Sequence, residues 1–195
     1  MQDTNALERL AKACRILEMH GHGDLSLGHV SLRDPDGRGF WLKRNRAGLG
    51  EIRGPEDFVL VSFDGEKLAG AGGRHSEWPI HSEILKRRRD VQVVAHTHAL
   101  HASVLSGASE ALQPYTLDAD YFVDLPVTFC GTSIEHATCV GVFLEKACKA
   151  HLLGKAAGLQ VNPLGSAVRG KRHAQIMTPA HIEHSWDYFC RMLDG

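Results

Sequence analysis

The stretch Val91-Gln92-Val93-Val94-Ala95-His96-Thr97-His98 decides how this chain is read. It begins as an apolar, β-branched run of the length that suits a buried strand. It ends in two histidines spaced i and i+2. Side chains two apart on a strand point to the same side. The two imidazoles therefore converge at the strand's C-terminal edge, where α/β proteins commonly place ligand sites. Neutral imidazole ligates zinc, manganese, iron, cobalt or nickel. A bare His-x-His also reads as two half-exposed polar residues, so the pair needs company before it means chemistry.

Company lies upstream. Glu77 to Arg89 has helical spacing and feeds directly into the His-x-His strand, with Glu77 one turn before His81. A carboxyl group there can reach a metal pocket and act as general acid/base. The same position also suits a glutamate favoured by the helix macrodipole. Further back, His29-Val30-Ser31-Leu32-Arg33 alternates as a strand, Asp34-Pro35-Asp36-Gly37 turns the chain, and Gly39 to Leu42 returns as a hairpin partner. His29 and Arg33 then stand beside a basic loop, Arg44-Asn45-Arg46. Guanidinium groups there would hold a carboxylate or phosphate, or the loop is simply solvated. Asp57 to Phe63 reads as a further strand, followed by an Asp64-Gly65 hairpin turn.

Outward in both directions the pattern is helical. Ala6 to Met19 carries an apolar face and stops at Gly21-His22-Gly23. His98 to Leu105 reads as a helix, Leu125 to Phe129 as a short strand. Thr132 or Ser133 caps a helix running to about Ala157, and Thr178-Pro179 opens the last one. Strands and helices intermix without long crossovers. That predicts an α/β fold, a single domain over 1–195 layered α/β/α around a central mixed, largely antiparallel sheet.

Composition narrows the function classes. Basic and acidic residues nearly cancel to a formal net charge of −1, which argues against nucleic acid bound by bulk charge. The five cysteines are scattered without a CxxC pair, as expected of reduced thiols in a cytoplasmic protein. No signal-peptide pattern opens the chain and no apolar run is long enough to span a bilayer. Histidine is the outlier, at 13 of 195 residues.

Taken in order, these pieces resemble the class II aldolase/adducin family. Gly28-His29-Val30-Ser31-Leu32-Arg33 looks like its early glycine-polar-apolar-serine strand motif, and Pro55 to Gly65 like its following strand and hairpin. Glu77, His81, Ile84 and Val94 to His98 look like its glutamate-bearing helix and His-x-His strand. Gly131 to Ala137 and Leu144 to Ala147 look like its later helix. The resemblance implies one divalent metal ion per subunit, usually zinc and sometimes manganese, held by three histidines. Two map onto His96 and His98, and the catalytic carboxylate maps onto Glu77. It also implies a homotetramer with active sites between subunits. The family's third histidine precedes the segment matching Gly131, yet here the chain runs Leu125 to Gly131 with none, as if a helix and a strand were missing near 129–130. His96 and His98 alone leave the site one ligand short, and Glu77 or His81 are the substitutes within reach.

Family members break a carbon–carbon bond beside an enolisable group. His29, where sugar-phosphate aldolases carry Asn, and Lys43-Arg44-Asn45-Arg46, where they carry a small Thr/Ser-rich loop, look like the branch that decarboxylates hydroxylated aromatic acids. His29, Arg44 and Arg46 are then expected to orient a small acid substrate. The alternatives are a sugar-phosphate aldolase or epimerase, and a non-catalytic adducin-like scaffold.

Overall fold

The computed structural model describes residues 2–108, 110–122, 130–160, 165–176 and 178–194. Among them β1 (His29–Arg33), β2 (Phe40–Lys43), β3 (Phe58–Val61), β4 (Lys67–Ala69), β5 (Val93–His96) and β6 (Cys130–Gly131) form one sheet in the order β4-β3-β2-β1-β5-β6. Every pairing is antiparallel. The Leu125 to Phe129 strand and the 129–130 junction lie outside the described residues.

Period-2 alternation divides the sheet into two unlike faces. Val30, Phe58, Val93 and Ala95 pack into an apolar core with Leu7, Leu10, Ala11 and Cys14 of α1 (Gln2–Leu17). Ala137, Val142 and Phe143 of α4 (Ile134–Ala156) and Ile182, Trp186 and Phe189 of α6 (Pro179–Asp194) complete that layer. Phe40, Leu42, Val59, Val61 and Val94 turn to the opposite face, under Leu85 of α2 (Trp78–Arg87). The domain is α/β/α with the sheet in the middle.

Local chemistry sets the element ends. Ser133 accepts the His136 backbone N–H at 3.1 Å and caps α4; Thr178 does the same for α6 from His181 at 3.2 Å. Gly21, at φ +84°, breaks the turn that follows α1 in a conformation that suits glycine and sends the chain toward His22. Gly131 lets β6 run against the first turn of α4, where a Cβ would overlap the Ala137 backbone.

Three boundary differences from the sequence reading bear on the site. Helix α2 begins at Trp78, with Pro79 in its first turn, so Glu77 stands at the helix entrance. Strand β5 begins at Val93, because Val91 donates its N–H to the Arg88 carbonyl at 3.1 Å in the turn that closes α2. The helix α3 (Leu100–Ser106) starts two residues after His98, which leaves that histidine on a short connector. Glu145 of α4 pins this helix by accepting the His101 and Ala102 backbone N–H groups at 3.1 and 3.0 Å and meeting the His101 ring at 2.6 Å.

Candidate metal centre

The β1–β5 register places His29 directly opposite His96. Directly opposed residues share a face, and the two rings stack with centroids 5.0 Å apart on the α2 side. His98 follows on the connector with its Nε2 3.2 Å from the His96 Nε2. Its Nδ1–H donates to Asp24 Oδ2 at 2.8 Å, since a carboxylate only accepts. His98 therefore presents a lone pair toward His96. Two nitrogens each about 2.0–2.1 Å from one zinc ion sit roughly 3.0–3.4 Å apart, so this pair fits a shared divalent metal. Thr97, between them, pairs instead with His22 Nδ1 at 2.9 Å.

Glu77 closes the other side. Its Oε2 accepts from His29 Nε2–H at 3.0 Å, and its backbone N–H points at His75 Nδ1 at 3.4 Å. Behind His29 runs a buried chain: His29 Nδ1 is 2.6 Å from His81 Nε2, and His81 Nδ1 is 2.6 Å from Ser31 Oγ. One ligand atom each from His29, Glu77 and His96 lies within 4.8 Å of the others.

The electrostatics suit a cation. Burial holds the His29, His75, His81 and His96 rings below the ordinary histidine range, His81 furthest. They are neutral near pH 7, the state in which imidazole binds metal. Glu77 is lowered too, but there the shift favours the charged form: the hydrogen bond from His29 holds its carboxyl low, and its half-exposed side chain stays ionised at the mouth of the cluster.

His96 and His98 lie side by side, and Glu77 groups with His96 and His29. His29 does not face a substrate space: the residue is fully buried and both ring nitrogens are engaged, because β1 is an interior strand whose alternation turns this side chain beneath α2. Nor is His81 a spare ligand, since it too is fully buried and both its nitrogens are engaged. The Arg44 guanidinium is held by Asp57 at 2.8 Å, while Arg46 is exposed at a left-handed turn, φ +62°. The loop is stitched to the approach to Glu77 by Asn45 N–H to the Gly73 carbonyl at 2.9 Å. Lys43 is fully buried beneath it, donating to the carbonyls of Ala47 and Ser26, and burial lowers it to about 8. Arg33 spends its guanidinium on the carbonyls of Leu85, Arg88 and Val91. His181 and His184 line a separate cavity of about 770 Å³ that shares no lining residue with this cluster, and His173 pairs with the Asp120 carbonyl at 2.8 Å.

Sequence reasoning missed Asp24, His75 and the Ser31–His81 chain. Ser31 carried a signal, two residues past His29 on the same strand face; Asp24, 74 residues from His98, carried none.

Residues 8–129 match the model of the Class II Aldolase and Adducin N-terminal domain. This chain belongs to that family. It is 29% identical over 119 residues to the Meiotically up-regulated gene 14 protein of Schizosaccharomyces pombe, covering 60% of this chain and 46% of that protein. Identity to the 3,4-dihydroxyphthalate decarboxylase of Arthrobacter keyseri is 37% over 108 residues, covering 48% of this chain and 40% of the relative. The matches thus span less than half of either relative. The L-fuculose 1-phosphate aldolase from Glaciozyma antarctica superposes with a TM-score of 0.86 at 23% identity, over 99% of this chain and 90% of that one. That likeness establishes the class II aldolase fold. Among the described residues no helix is long and apolar enough to cross a membrane, and all five cysteines are free.

Proposed function

We propose that this chain is a divalent-metal-dependent carbon–carbon lyase that decarboxylates a small hydroxylated aromatic acid. The observation that carries the reading is the meeting of His96 and His98, 3.2 Å apart, with the Glu77 carboxylate one imidazole away. Family membership supports lyase chemistry, and the 37% identity to a dihydroxyphthalate decarboxylase supports the choice of acid.

Zinc, or manganese in its place, would be held by His96 and His98 and would supply Lewis-acid stabilisation of charge on the substrate oxygens. Glu77, ionised and half-exposed, takes up a proton from the substrate and delivers it to the carbon that loses its carboxyl group. Arg46, with Arg44 behind it, orients the acid by charge-assisted hydrogen bonds. The sites are completed between subunits of a homotetramer, and no nucleic acid or membrane takes part.

The test is a screen of hydroxy-aromatic acids against metal-loaded protein, reading carbon dioxide release. Glu77→Gln is expected to lower turnover by about 10²–10⁴-fold, the contribution typical of a positioned acid/base, while metal content stays near one ion per chain and is lost in His96→Ala. The second reading, a sugar-phosphate aldolase, draws on 35% identity over 99 residues to a 5-methylthioribulose-1-phosphate/5-deoxyribulose-1-phosphate aldolase of Rhodospirillum rubrum. Release of an aldehyde or dihydroxyacetone phosphate without carbon dioxide would select it. Wild-type protein that binds no metal would select the scaffold reading.

A further inference from the structure

We infer that the cavity between α3, α4 and the first turn of α5 (Ser166–Ile176) is a second binding site, and that it takes a small monocarboxylate with an apolar body. It shares no lining residue with the metal centre, so it stands or falls apart from the lyase reading.

The cavity measures about 480 Å³. Small-molecule sites run to roughly 300–1,000 Å³ and are mostly apolar, with a few polar groups that fix the ligand. The walls follow that plan. Leu105 of α3 packs with Leu144 and Cys148 of α4 in a small apolar cluster of their own, and Phe122 lies against it. All four line the cavity. Burial raises the Cys148 thiol to about 11, so this side chain is apolar wall and no nucleophile.

Arg169 supplies the polar group. It lines the cavity, and its Nε is buried with no hydrogen-bond partner among the described residues. The helix that carries it is fixed in place. Tyr121 O–H donates to the Ile176 carbonyl at 2.6 Å, the His173 ring meets the Asp120 carbonyl at 2.8 Å, and Arg172 pairs with Asp120 at 3.6 Å. An ionised donor buried without a partner is unfavourable, and a guanidinium meets a carboxylate with two parallel N–H···O bonds. Glu110 is the only carboxylate among the described lining residues. It is already engaged by His151 at 3.0 Å and Lys155 at 3.1 Å, which leaves Arg169 to a ligand. One guanidinium beside an exposed carboxylate suits a single negative charge and repels a second. The apolar walls then take the rest of the acid.

The experiment is a saturation-transfer NMR titration of the full, metal-loaded chain with benzoate and with octanoate, each set against its uncharged amide. At least one acid should bind the wild type saturably, its amide at least about tenfold more weakly; which acid binds tells a ring from a chain. Arg169→Met should weaken the acid by about that factor, the cost of one hydrogen bond to a charged group, and leave the amide unchanged. His96→Ala should bind the acid as the wild type does. Binding of neither acid overturns the inference. Equal binding of acid and amide overturns it as well, and that comparison needs no variant to fold. Acid binding kept in Arg169→Met but lost in His96→Ala assigns the acid to the metal centre, which overturns the second site and leaves the lyase reading standing.

Discussion

The two faces of strand β1 do different work with the same five residues. Val30 and Leu32 enter the apolar core beneath α1, α4 and α6, while His29 and Ser31 meet His81 on the α2 side. One face is held by burial of methyl groups, which is non-directional and tolerant. The other is held by directional hydrogen bonds at 2.6 Å, one ring to ring and one hydroxyl to ring. A fold organised this way can lose stability without losing its site, or lose its site without unfolding. The contrast is open to test from either side.

The largest expected effect lies on the apolar face. Leu10 of α1 is fully buried in that core, and Leu10→Ala should destabilise the protein by about 2–5 kcal/mol, as large-to-small core changes do. Urea melts would read the loss. If the faces are independent, zinc stoichiometry in folded Leu10→Ala should match the wild type; a variant that folds yet binds no zinc would mean the apolar layer sets the ligand geometry.

The second effect lies on the polar side and depends on pH. His22, with 1% of its surface exposed and next to the connector through Thr97, is lowered by burial from 6.5 to about 4. Burial pushes His29 and His81 the same way. Between those values the unfolded chain binds a proton that the folded chain refuses, so stability is intact above about 6.5 and is lost as pH falls toward 4. For His22 alone the loss approaches about 3 kcal/mol, at 1.36 kcal/mol per pKa unit. Denaturant melts of metal-free protein at pH 7 and pH 4.5 would measure it. Equal stability at the two values would mean these rings are not buried neutral.

These cases also mark how far the sequence alone could be read. The apolar run into His96 and His98 exposed the strand, and Glu77 at the entrance of the next-door helix exposed its carboxylate partner, because both are patterns within a dozen or two residues. The two faces of the strands followed from alternation. What stayed hidden was pairing across the sheet. His29 looked like a substrate contact until the register put it opposite His96, and no local spacing announces which strand will lie alongside. The same holds for His81 and Ser31, which are 50 residues apart in sequence.

Asp24 carries the smallest and most informative prediction, because it sharpens the contrast within the polar face. His98 is steadied by a carboxylate and His29 by a neutral ring, at 2.8 and 2.6 Å. Asp24 and His98 are each more than a third exposed, so solvent screens the pair and its contribution to folding is small. Its effect on metal binding should be larger, since a carboxylate on the far nitrogen orients the ring, fixes its tautomer and raises its basicity. Asp24→Ala removes all three and should weaken zinc binding by roughly 10–100-fold. Asp24→Asn keeps an acceptor for the Nδ1–H and loses only the charge, so it should fall between wild type and Asp24→Ala in chelator competition. The gap between the two variants measures orientation, and the gap between Asp24→Asn and wild type measures charge. If Asp24→Ala bound zinc as tightly as wild type, the half-exposed side of the centre would need no carboxylate behind its ligand, and the buried His29 corner would have to supply the rigidity.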